Sequence, residues 1–213
     1  LRTDDPTTRT TGEIAAWVPQ AVFLFPGQGA QYAGMGRGLS AGEPVFRAAI
    51  DECLQAFEGV LSFDRRERMF SDDEAALKPT SVTQPATFAL EYALARQLQS
   101  LGVRPAALIG HSVGEFAAAV LAGVMQLGDA ARLVARRGAL MQSMPEGDML
   151  SVRMPADELA AQLPEGISLA AENGPNACVA AGPAALIEAF RQRLEAAGVA
   201  AKLLQTSHAF HSQ

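Results

Sequence analysis

The segment Gly110-His111-Ser112-Val113-Gly114 constrains the fold of this chain more than any other part of its sequence. An apolar run of strand length, 106–110, comes before it, and a run of helix-forming residues, 116–121, follows. The pattern predicts a strand, a sharp turn and a helix, which together expose a nucleophilic serine at the edge of a sheet. Glycines flank Ser112 because such a turn leaves no room for Cβ atoms. An ordinary loop is the alternative, since the five-residue pattern alone is common.

A serine hydroxyl is a weak nucleophile until a general base takes its proton. The sequence contains three histidines. His111 lies on the turn beside the serine, where we expect its side chain to point elsewhere. His208 and His211, in the segment TSHAFHS, are therefore the candidate bases. The alternative is that both are polar residues of the surface.

Arg137 is predicted to lie on the apolar face of a helix that runs from Asp129 to about residue 144. At about 100° per residue, it falls at the centre of a stripe of larger apolar residues: Leu133, Val134, Leu140, Met141 and Met144. A guanidinium on such a face requires an anionic partner, because burying an unpaired charge is costly. That partner is either a carboxylate of the protein or the carboxylate of a ligand.

A glycine-rich segment, FPGQGAQYAGMG at 25–36, directly follows the apolar run 21–24. This order predicts a flexible polar loop at the end of a buried strand. By itself the loop resembles a weak phosphate-binding pattern. Beside Ser112, its glycines would instead allow the backbone to approach the serine closely.

The remaining pattern predicts an α/β fold in two parts. Helices are expected at 44–58 and at 82–100, the second with Thr83 as N-cap and Pro85 in its first turn. From residue 148 the order is β-α-β-β-α-β, the ferredoxin-like pattern. We expect a linker or arm at 1–19, an α/β-hydrolase-like main subdomain with a parallel sheet at 20–145, a ferredoxin-like subdomain at 146–206, and a return to the main subdomain at 207–213.

Charge and hydropathy argue against several classes of partner. The net charge is −6 and there is no cluster of lysine and arginine, which argues against nucleic acid and anionic membrane surfaces. The apolar runs are far shorter than the roughly 20 residues that span a bilayer. Cys53 and Cys178 have no metal-ligand spacing, so we expect buried thiols and a cytoplasmic protein.

Several motifs together resemble the acyltransferase domains of modular polyketide synthases and the related malonyl-CoA:acyl-carrier-protein transacylases. The resemblance runs over about 21–211 and includes FPGQGAQYAGMG, GHSVGEFAAA, LVARRGALMQ, ENGPNACVAAGP and TSHAFHS, in this order. It implies transfer of an acyl group from an acyl-CoA, most plainly malonyl-CoA, to the phosphopantetheine thiol of an acyl carrier protein. It implies no metal and no cofactor bound by this domain.

The resemblance also implies a role for each site residue. Ser112 would attack the thioester and carry the acyl group, with His211 as general base. The backbone N–H groups of Gln28 and Val113 would hold the oxyanion, and the Gln28 side chain would contact the acyl group. Arg137 would pair with the free carboxylate of a malonyl-type substrate.

The motif HAFH, which ends at His211, bears on the choice of acyl group. It resembles the malonyl-selective type, whereas methylmalonyl-selective members more often have Tyr-Ala-Ser-His and a glutamine after the serine. Phe210 would crowd an α-methyl branch, and His208 would lie with it at the substrate. One methylene in an apolar pocket contributes only about 1–3 kcal/mol, so we predict a preference for malonyl. Val113 agrees with this prediction.

Domains of this family extend roughly 80–100 residues beyond the histidine, within ordinary domain sizes. We therefore expect a truncated domain in which the residue that orients His211 lies beyond Gln213. The expected partners are an acyl-CoA, an acyl carrier protein, and neighbouring ketosynthase and other synthase domains. Two alternatives stay open: an acyl hydrolase or esterase with the same Ser-His pair, and a stand-alone malonyl transacylase of fatty-acid synthesis.

Overall fold

The first half of the chain consists of two strands and the helices that pack beside them. The computed structural model describes residues 20–69, 71–204 and 206–213, so the predicted arm at 1–19 lies outside the described residues. In chain order the elements are β1 (Ala21–Phe25), α1 (Arg37–Gly42), α2 (Pro44–Ala56), α3 (Arg65–Met69), α4 (Glu74–Leu77), α5 (Thr80–Ser100), β2 (Pro105–Gly110), α6 (Gly114–Leu121) and α7 (Leu127–Gln142).

Strands β1 and β2 pair in parallel and determine where the serine turn lies. Phe25 at the end of β1 is opposite Gly110 at the end of β2. The N–H of His111 donates to the carbonyl oxygen of Phe25 at 2.9 Å. Because the carboxyl ends of parallel strands meet at one edge of a sheet, the loop after β1 and the serine turn are neighbours.

Helix α5 forms the centre of the first hydrophobic core. It packs against α2, α6 and α7. Phe46, Phe57 and Phe88 are completely buried there, and the rings of Phe57 and Phe88 meet edge to face at 6.0 Å between centroids. Aromatic pairs in this geometry add to the stabilisation that burial alone provides.

The second half forms a four-stranded antiparallel sheet. Its order, β4-β5-β3-β6, places β3 and β5 side by side at the centre. The succession of elements is β-α-β-β-α-β, as the sequence pattern predicts: β3 (Asp148–Val152), α8 (Ala156–Ala160), β4 (Ser168–Gly174), β5 (Ala177–Gly182), α9 (Ala184–Ala196) and β6 (Ala201–Leu203). The subdomain boundaries drawn from the sequence stay a prediction.

The two central strands of this sheet contribute side chains to two hydrophobic clusters, one on each face of the sheet. On one face, Leu150 and Val152 pack under α8 and α9 in a second hydrophobic core. On the other face, Met149 and Val179 pack with Phe210 in a smaller third cluster. This alternation follows from the two-residue period of a strand, and it leaves the third cluster facing the first half of the chain.

Two helix starts differ from the sequence prediction. Helix α5 begins at Thr80, and Thr83 is not its N-cap: the Thr83 side chain is buried and its hydroxyl bonds to carbonyl oxygens that precede the helix. Pro85 consequently lies inside the helix and not in its first turn. Helix α7 begins at Leu127, so Asp129 lies in the first turn instead of opening the helix. The first turn of α5 packs closely on α7 at Thr80 and Ser81, so tertiary packing outweighs the local capping preference there.

The predicted apolar stripe of α7 is wrong. Leu133, Leu140 and Met144 are about half exposed, at 49%, 46% and 55%. A Cβ at Gly138 would lie 3.1 Å from the backbone of Ser81, so α7 approaches α5 too closely for large side chains. The buried face instead consists mainly of small residues: Ala130, Ala131, Val134, Ala135 and Gly138. The half-buried Arg137 therefore lies beside this face and not at the centre of an apolar stripe.

The cysteines lie within the protein interior. Cys53 and Cys178 are free and buried, as predicted for core thiols. Burial, assisted by the nearby charge of Glu52, raises the pKa of the Cys53 thiol well above its ordinary value, so this thiol is unreactive. A helix with the length and apolar character of a membrane span does not occur within the described ranges.

Candidate active site

Ser112 lies on the turn between β2 and α6, in a conformation that only close packing maintains. Its φ angle is 56°, in the left-handed region that residues other than glycine rarely adopt. A Cβ at Gly110 would lie 2.2 Å from the backbone nitrogen of Glu115, and one at Gly114 would lie 2.3 Å from the carbonyl oxygen of Phe25. The prediction that the turn has no room for Cβ atoms at these glycines is confirmed.

His211 reaches Ser112 from the segment that follows β6. Its Nε2 atom lies 3.0 Å from Ser112 Oγ. Its φ angle is 57°, so the backbone of the histidine is also left-handed, at a cost of about 1–3 kcal/mol. Burial, together with the positive charge of Arg137 and the nearby His111, lowers the pKa of His211. The imidazole is therefore neutral at pH 7 and able to accept a proton.

Arg137 also contacts the serine. Its Nη2 donates to Ser112 Oγ at 3.0 Å, and its Nη1 donates to Gln84 Oε1. Because a guanidinium can only donate, Ser112 accepts from Arg137 and keeps its own proton for His211 Nε2. Burial lowers the pKa of Arg137, and the charge of Glu115 opposes this effect.

The part of the protein that the structure describes contains no carboxylate bonded to Arg137. Across residues 20–69, 71–204 and 206–213, no acidic side chain forms an ion pair with this guanidinium. Both of its acceptors, the Gln84 amide and the Ser112 hydroxyl, are neutral. The sequence offered two candidate partners, a carboxylate of the protein and a carboxylate of a ligand. Because the described structure provides no bonded carboxylate of the protein, the ligand carboxylate is the candidate that remains.

Sequence reasoning missed two residues of this site. Thr80 and Gln84 are completely buried one turn apart on α5, and Gln84 Nε2 donates to Thr80 Oγ1 at 2.7 Å. Thr80 in turn donates to Gln28 Oε1 at 2.7 Å. A signal was present in the sequence. Thr80, Gln84, Thr87 and Glu91 recur at helical spacing, which places four polar side chains on one face of α5.

The loop after β1 brings the backbone of Gln28 to the serine turn. A Cβ at Gly27 would lie 2.8 Å from His111 Nδ1 and 3.5 Å from Ser112 Cβ, so this approach requires glycine. In the described part of the chain, neither the N–H of Gln28 nor that of Val113, the N-cap of α6, donates a hydrogen bond. Both groups are available to an anion, and their oxyanion role stays a prediction.

These groups surround one cavity of about 210 Å³. Its polar wall includes Gln28, Gln84, Ser112, Arg137 and His211. Its apolar wall consists of Met141, Met149, Ala171, Val179, Leu204 and Phe210. A larger depression of about 480 Å³, beside α3 and α4, contains none of the predicted site residues. Within the described ranges, no group of three or more His, Cys, Asp or Glu side chains could hold a metal ion.

Phe210 lines the cavity, whereas His208 lies behind it. Phe210 is 7% exposed and packs with Met149 and Val179. The His208 ring stacks on Phe210 at 5.9 Å between centroids, and its Nδ1 shares a hydrogen bond with Ser207 Oγ. His208 therefore supports the aromatic wall in this geometry, and its direct contact with a substrate stays a prediction.

A serine hydroxyl on a strained turn, within hydrogen-bond distance of a histidine, is an arrangement that can serve nucleophilic chemistry. A family model described as the acyl transferase domain matches residues 22–213. This chain belongs to the acyl transferase domain family, and it is homologous to part of the acyltransferase domains of polyketide synthases.

Solved structures and curated relatives agree with this assignment. The acyltransferase domain from the second module of the salinomycin polyketide synthase is 51% identical, with a TM-score of 0.88 over 94% of this chain and 48% of that chain. The malonyl CoA-acyl carrier protein transacylase from Clostridium perfringens is 30% identical, with a TM-score of 0.80 over 91% of this chain and 63% of that chain.

Mycoketide-CoA synthase of Mycobacterium tuberculosis is a curated relative that is 45% identical over 194 residues. The match covers 91% of this chain and 5% of that protein. The chain thus spans about half the length of the salinomycin domain and a small part of the synthase.

Proposed function

We propose that this chain provides the nucleophile and the base of a domain that moves malonyl from CoA to an acyl carrier protein in polyketide biosynthesis. The observation that carries the proposal is the environment of Ser112 Oγ, which has His211 Nε2 and Arg137 Nη2 each at 3.0 Å. Any enzyme that uses a serine nucleophile needs a general base such as His211. A half-buried guanidinium beside the same hydroxyl suits a substrate whose carboxylate lies close to its reacting carbonyl.

The first half of the proposed reaction acylates the serine. His211 Nε2 takes the hydroxyl proton as Ser112 Oγ attacks the carbonyl carbon of the malonyl thioester. The backbone N–H groups of Gln28 and Val113 donate to the resulting oxyanion. When the intermediate collapses, the carbon–sulfur bond breaks and CoA leaves as a thiol that has taken the proton from His211.

The second half transfers the acyl group to the carrier. The phosphopantetheine thiol gives its proton to His211, and its sulfur attacks the carbonyl carbon of the acyl-serine. The same oxyanion donors hold the second intermediate. The ester bond then breaks, and Ser112 recovers its proton from His211, which returns the site to its initial state. The lowered pKa of His211 suits this cycle, because the histidine must accept and release one proton in each half.

Selectivity for malonyl follows from the two walls of the cavity. A carboxylate that enters would exchange for Ser112 as an acceptor of Arg137, while Gln84 continues to hold the guanidinium. On the apolar wall, Phe210 is nearly completely buried and fixed from behind by His208, so it yields little space to an α-methyl branch. We therefore propose malonyl as the preferred group, with methylmalonyl disfavoured by about 1–3 kcal/mol.

We also propose that the described elements belong to two subdomains, 20–145 and 146–206. The parallel β1/β2 pair with its serine turn supports an α/β-hydrolase-like main subdomain. The strand order β4-β5-β3-β6 within a β-α-β-β-α-β succession supports a ferredoxin-like small subdomain. An acyl carrier protein and neighbouring synthase domains such as a ketosynthase are the proposed partners.

The function is tested by incubating the intact protein with malonyl-CoA, methylmalonyl-CoA or acetyl-CoA and measuring the mass of the acyl-enzyme. We expect malonyl to be the dominant adduct, located on the peptide that contains Ser112. A carrier protein bearing phosphopantetheine should then remove the adduct and gain the same mass. Labelling by acetyl-CoA alone would contradict the malonyl proposal. Release of free malonate that the carrier protein does not suppress would instead favour a hydrolase.

A further inference from the structure

Three hydrogen bonds connect the guanidinium of Arg137 to the loop that carries Gln28. Arg137 Nη1 donates to Gln84 Oε1, Gln84 Nε2 donates to Thr80 Oγ1, and Thr80 Oγ1 donates to Gln28 Oε1. The four residues come from α7, α5 and the loop after β1. Thr80 is the central link, and it contacts neither the nucleophile nor the cavity.

The direction of this chain of hydrogen bonds is determined by its first member. Arg137 can only donate, so the oxygen of the Gln84 amide must face it and the nitrogen must face Thr80. The threonine oxygen accepts from Gln84, and its single proton is left for Gln28 Oε1. The amide of Gln28 is therefore held by its oxygen, and its Nε2 donors are left for the cavity that Gln28 lines.

Thr80 is well placed to hold both ends of this series of hydrogen bonds in position. Its side chain is completely buried. Its backbone is pressed against α7, because a Cβ at Gly138 would lie 3.1 Å from the carbonyl oxygen of Thr80. Thr80 thus has a fixed position relative to Arg137, which lies on α7 beside that glycine. Loss of its hydroxyl would leave Gln28 Oε1 without this donor, and Gln84 Nε2 with only the weak acceptor Met141 Sδ at 3.2 Å.

We propose that Thr80 is a positioning residue for recognition of the acyl carboxylate. Through Gln84 it fixes the guanidinium of Arg137, and through Gln28 it orients a second donor toward the same cavity. The inference rests on the proposed function, because it assumes a carboxylated acyl group. The consequence is specific: without the Thr80 hydroxyl, selectivity for malonyl over acetyl falls, while acylation of Ser112 continues.

The test compares Thr80→Val with Thr87→Val in the intact protein. Valine keeps the shape of threonine and removes the hydroxyl. Thr87 is the matched control, because it is buried on the same helix and its hydroxyl has no hydrogen-bond partner in the described structure. Acylation by malonyl-CoA and acetyl-CoA is followed by mass, and folding by the Tm. We expect Thr80→Val to lower the malonyl-to-acetyl ratio about tenfold and Thr87→Val to leave it unchanged.

Thr80→Ser, which keeps the hydroxyl, should restore most of the ratio. Should Thr80→Val fail to fold, Gln28→Met tests the other end of the series of hydrogen bonds, because it removes the side-chain acceptor and keeps the backbone N–H. We expect the same fall in the malonyl-to-acetyl ratio. In a native protein that forms malonyl-enzyme, an unchanged ratio in Thr80→Val, or in Gln28→Met, would overturn the inference. Equal loss of both acyl groups in Thr80→Val and Thr80→Ser would show a purely structural threonine. A native protein that forms no malonyl-enzyme would instead refute the proposed function.

Discussion

The two hydrophobic cores differ in what they bury. The core around α5 contains six buried polar side chains from that helix alone: Thr80, Thr83, Gln84, Thr87, Glu91 and Gln97. In the described core beneath α8 and α9, the buried side chains are apolar. Four of the six are hydrogen-bonded, but Thr87 and Glu91 have no partner in the described structure, and unpaired buried groups cost free energy. The first core is therefore not optimised for stability alone.

The comparison indicates a division of roles across the cavity. The first core extends its polar residues to the nucleophile through Gln84 and Arg137. The small sheet contributes Met149 and Val179, which form an apolar wall with Phe210. Under the proposed function, the nucleophile and the group that recognises charge belong to the first half of the chain, whereas the base His211 and most of the apolar wall belong to the second. Substitutions on each side of the cavity test this division separately.

The largest effect is expected at the nucleophile. Ser112→Ala removes the atom that carries the acyl group, so acyl-enzyme formation measured by mass should fall by about 10³-fold or more. Ser62→Ala, on the exposed surface, is the control and should react as the native protein does. Acylation retained at the Ser112 peptide in the alanine variant would contradict the assignment of the nucleophile.

The second effect is on recognition of charge. Arg137→Ala should lower malonyl loading about 10²-fold while it spares or improves acetyl loading, because only malonyl offers a carboxylate to the guanidinium. Arg136→Ala changes the adjacent, exposed arginine and should leave both rates unchanged. If Arg137→Ala reduces both acyl groups equally, the arginine is structural and the proposed division of roles fails.

A third prediction concerns a polar group in the first core with no role in the site. Glu91 is 5% exposed, and neither carboxylate oxygen has a hydrogen-bond partner in the described structure. Burial raises the pKa of Glu91 to about 8 from an ordinary value of 4.5. Between these two pH values the unfolded chain releases the proton that the folded protein keeps, so the free energy of unfolding falls as the pH rises.

Glu91→Gln should remove this pH dependence. At about 1.4 kcal/mol per pKa unit, we expect the variant to gain a few kcal/mol over the native protein between pH 4.5 and pH 8, with no further gain above pH 8. Urea denaturation at several pH values measures the free energy of unfolding of the variant and the native protein. Glu165→Gln, at an exposed position, is the control. Parallel pH profiles for the native protein and Glu91→Gln would show that the carboxyl group finds a partner in solution.

The smallest effect is expected at the apolar wall. Phe210→Ser should raise the methylmalonyl-to-malonyl loading ratio by about tenfold, because the energy at stake is that of one methyl group in an apolar pocket. Phe210→Leu should give an intermediate ratio. The measurement is competition between the two acyl-CoA substrates, with the acyl-enzymes separated by mass. A ratio that does not change with the size of the residue would place the discrimination elsewhere.

Local patterns were sufficient to predict the strand, turn and helix around Ser112. The glycines around Ser112 and the strand and helix on either side of it are all encoded within 106–121, so no distant contact was needed to predict the turn. The β-α-β-β-α-β succession was likewise predictable, because alternating residues and turn signals are local. Thr83 and Asp129 show the limit of such signals, since both helices begin before these residues, and the first turn of α5 packs closely on α7.

The sequence by itself selected Ser112, His211 and Arg137 as candidate site residues, because each lies in a motif that resembles those of the acyltransferase family. Only the tertiary structure brought the three within hydrogen-bond distance and revealed Thr80 and Gln84 between Arg137 and Gln28. It also showed that the buried face of α7 consists mainly of small residues, where the sequence predicted a stripe of large apolar residues. The physical reason is the same in each instance: contacts between different elements, here across 25 to 99 positions, depend on how closely those elements pack, and spacing along one helix does not encode that distance.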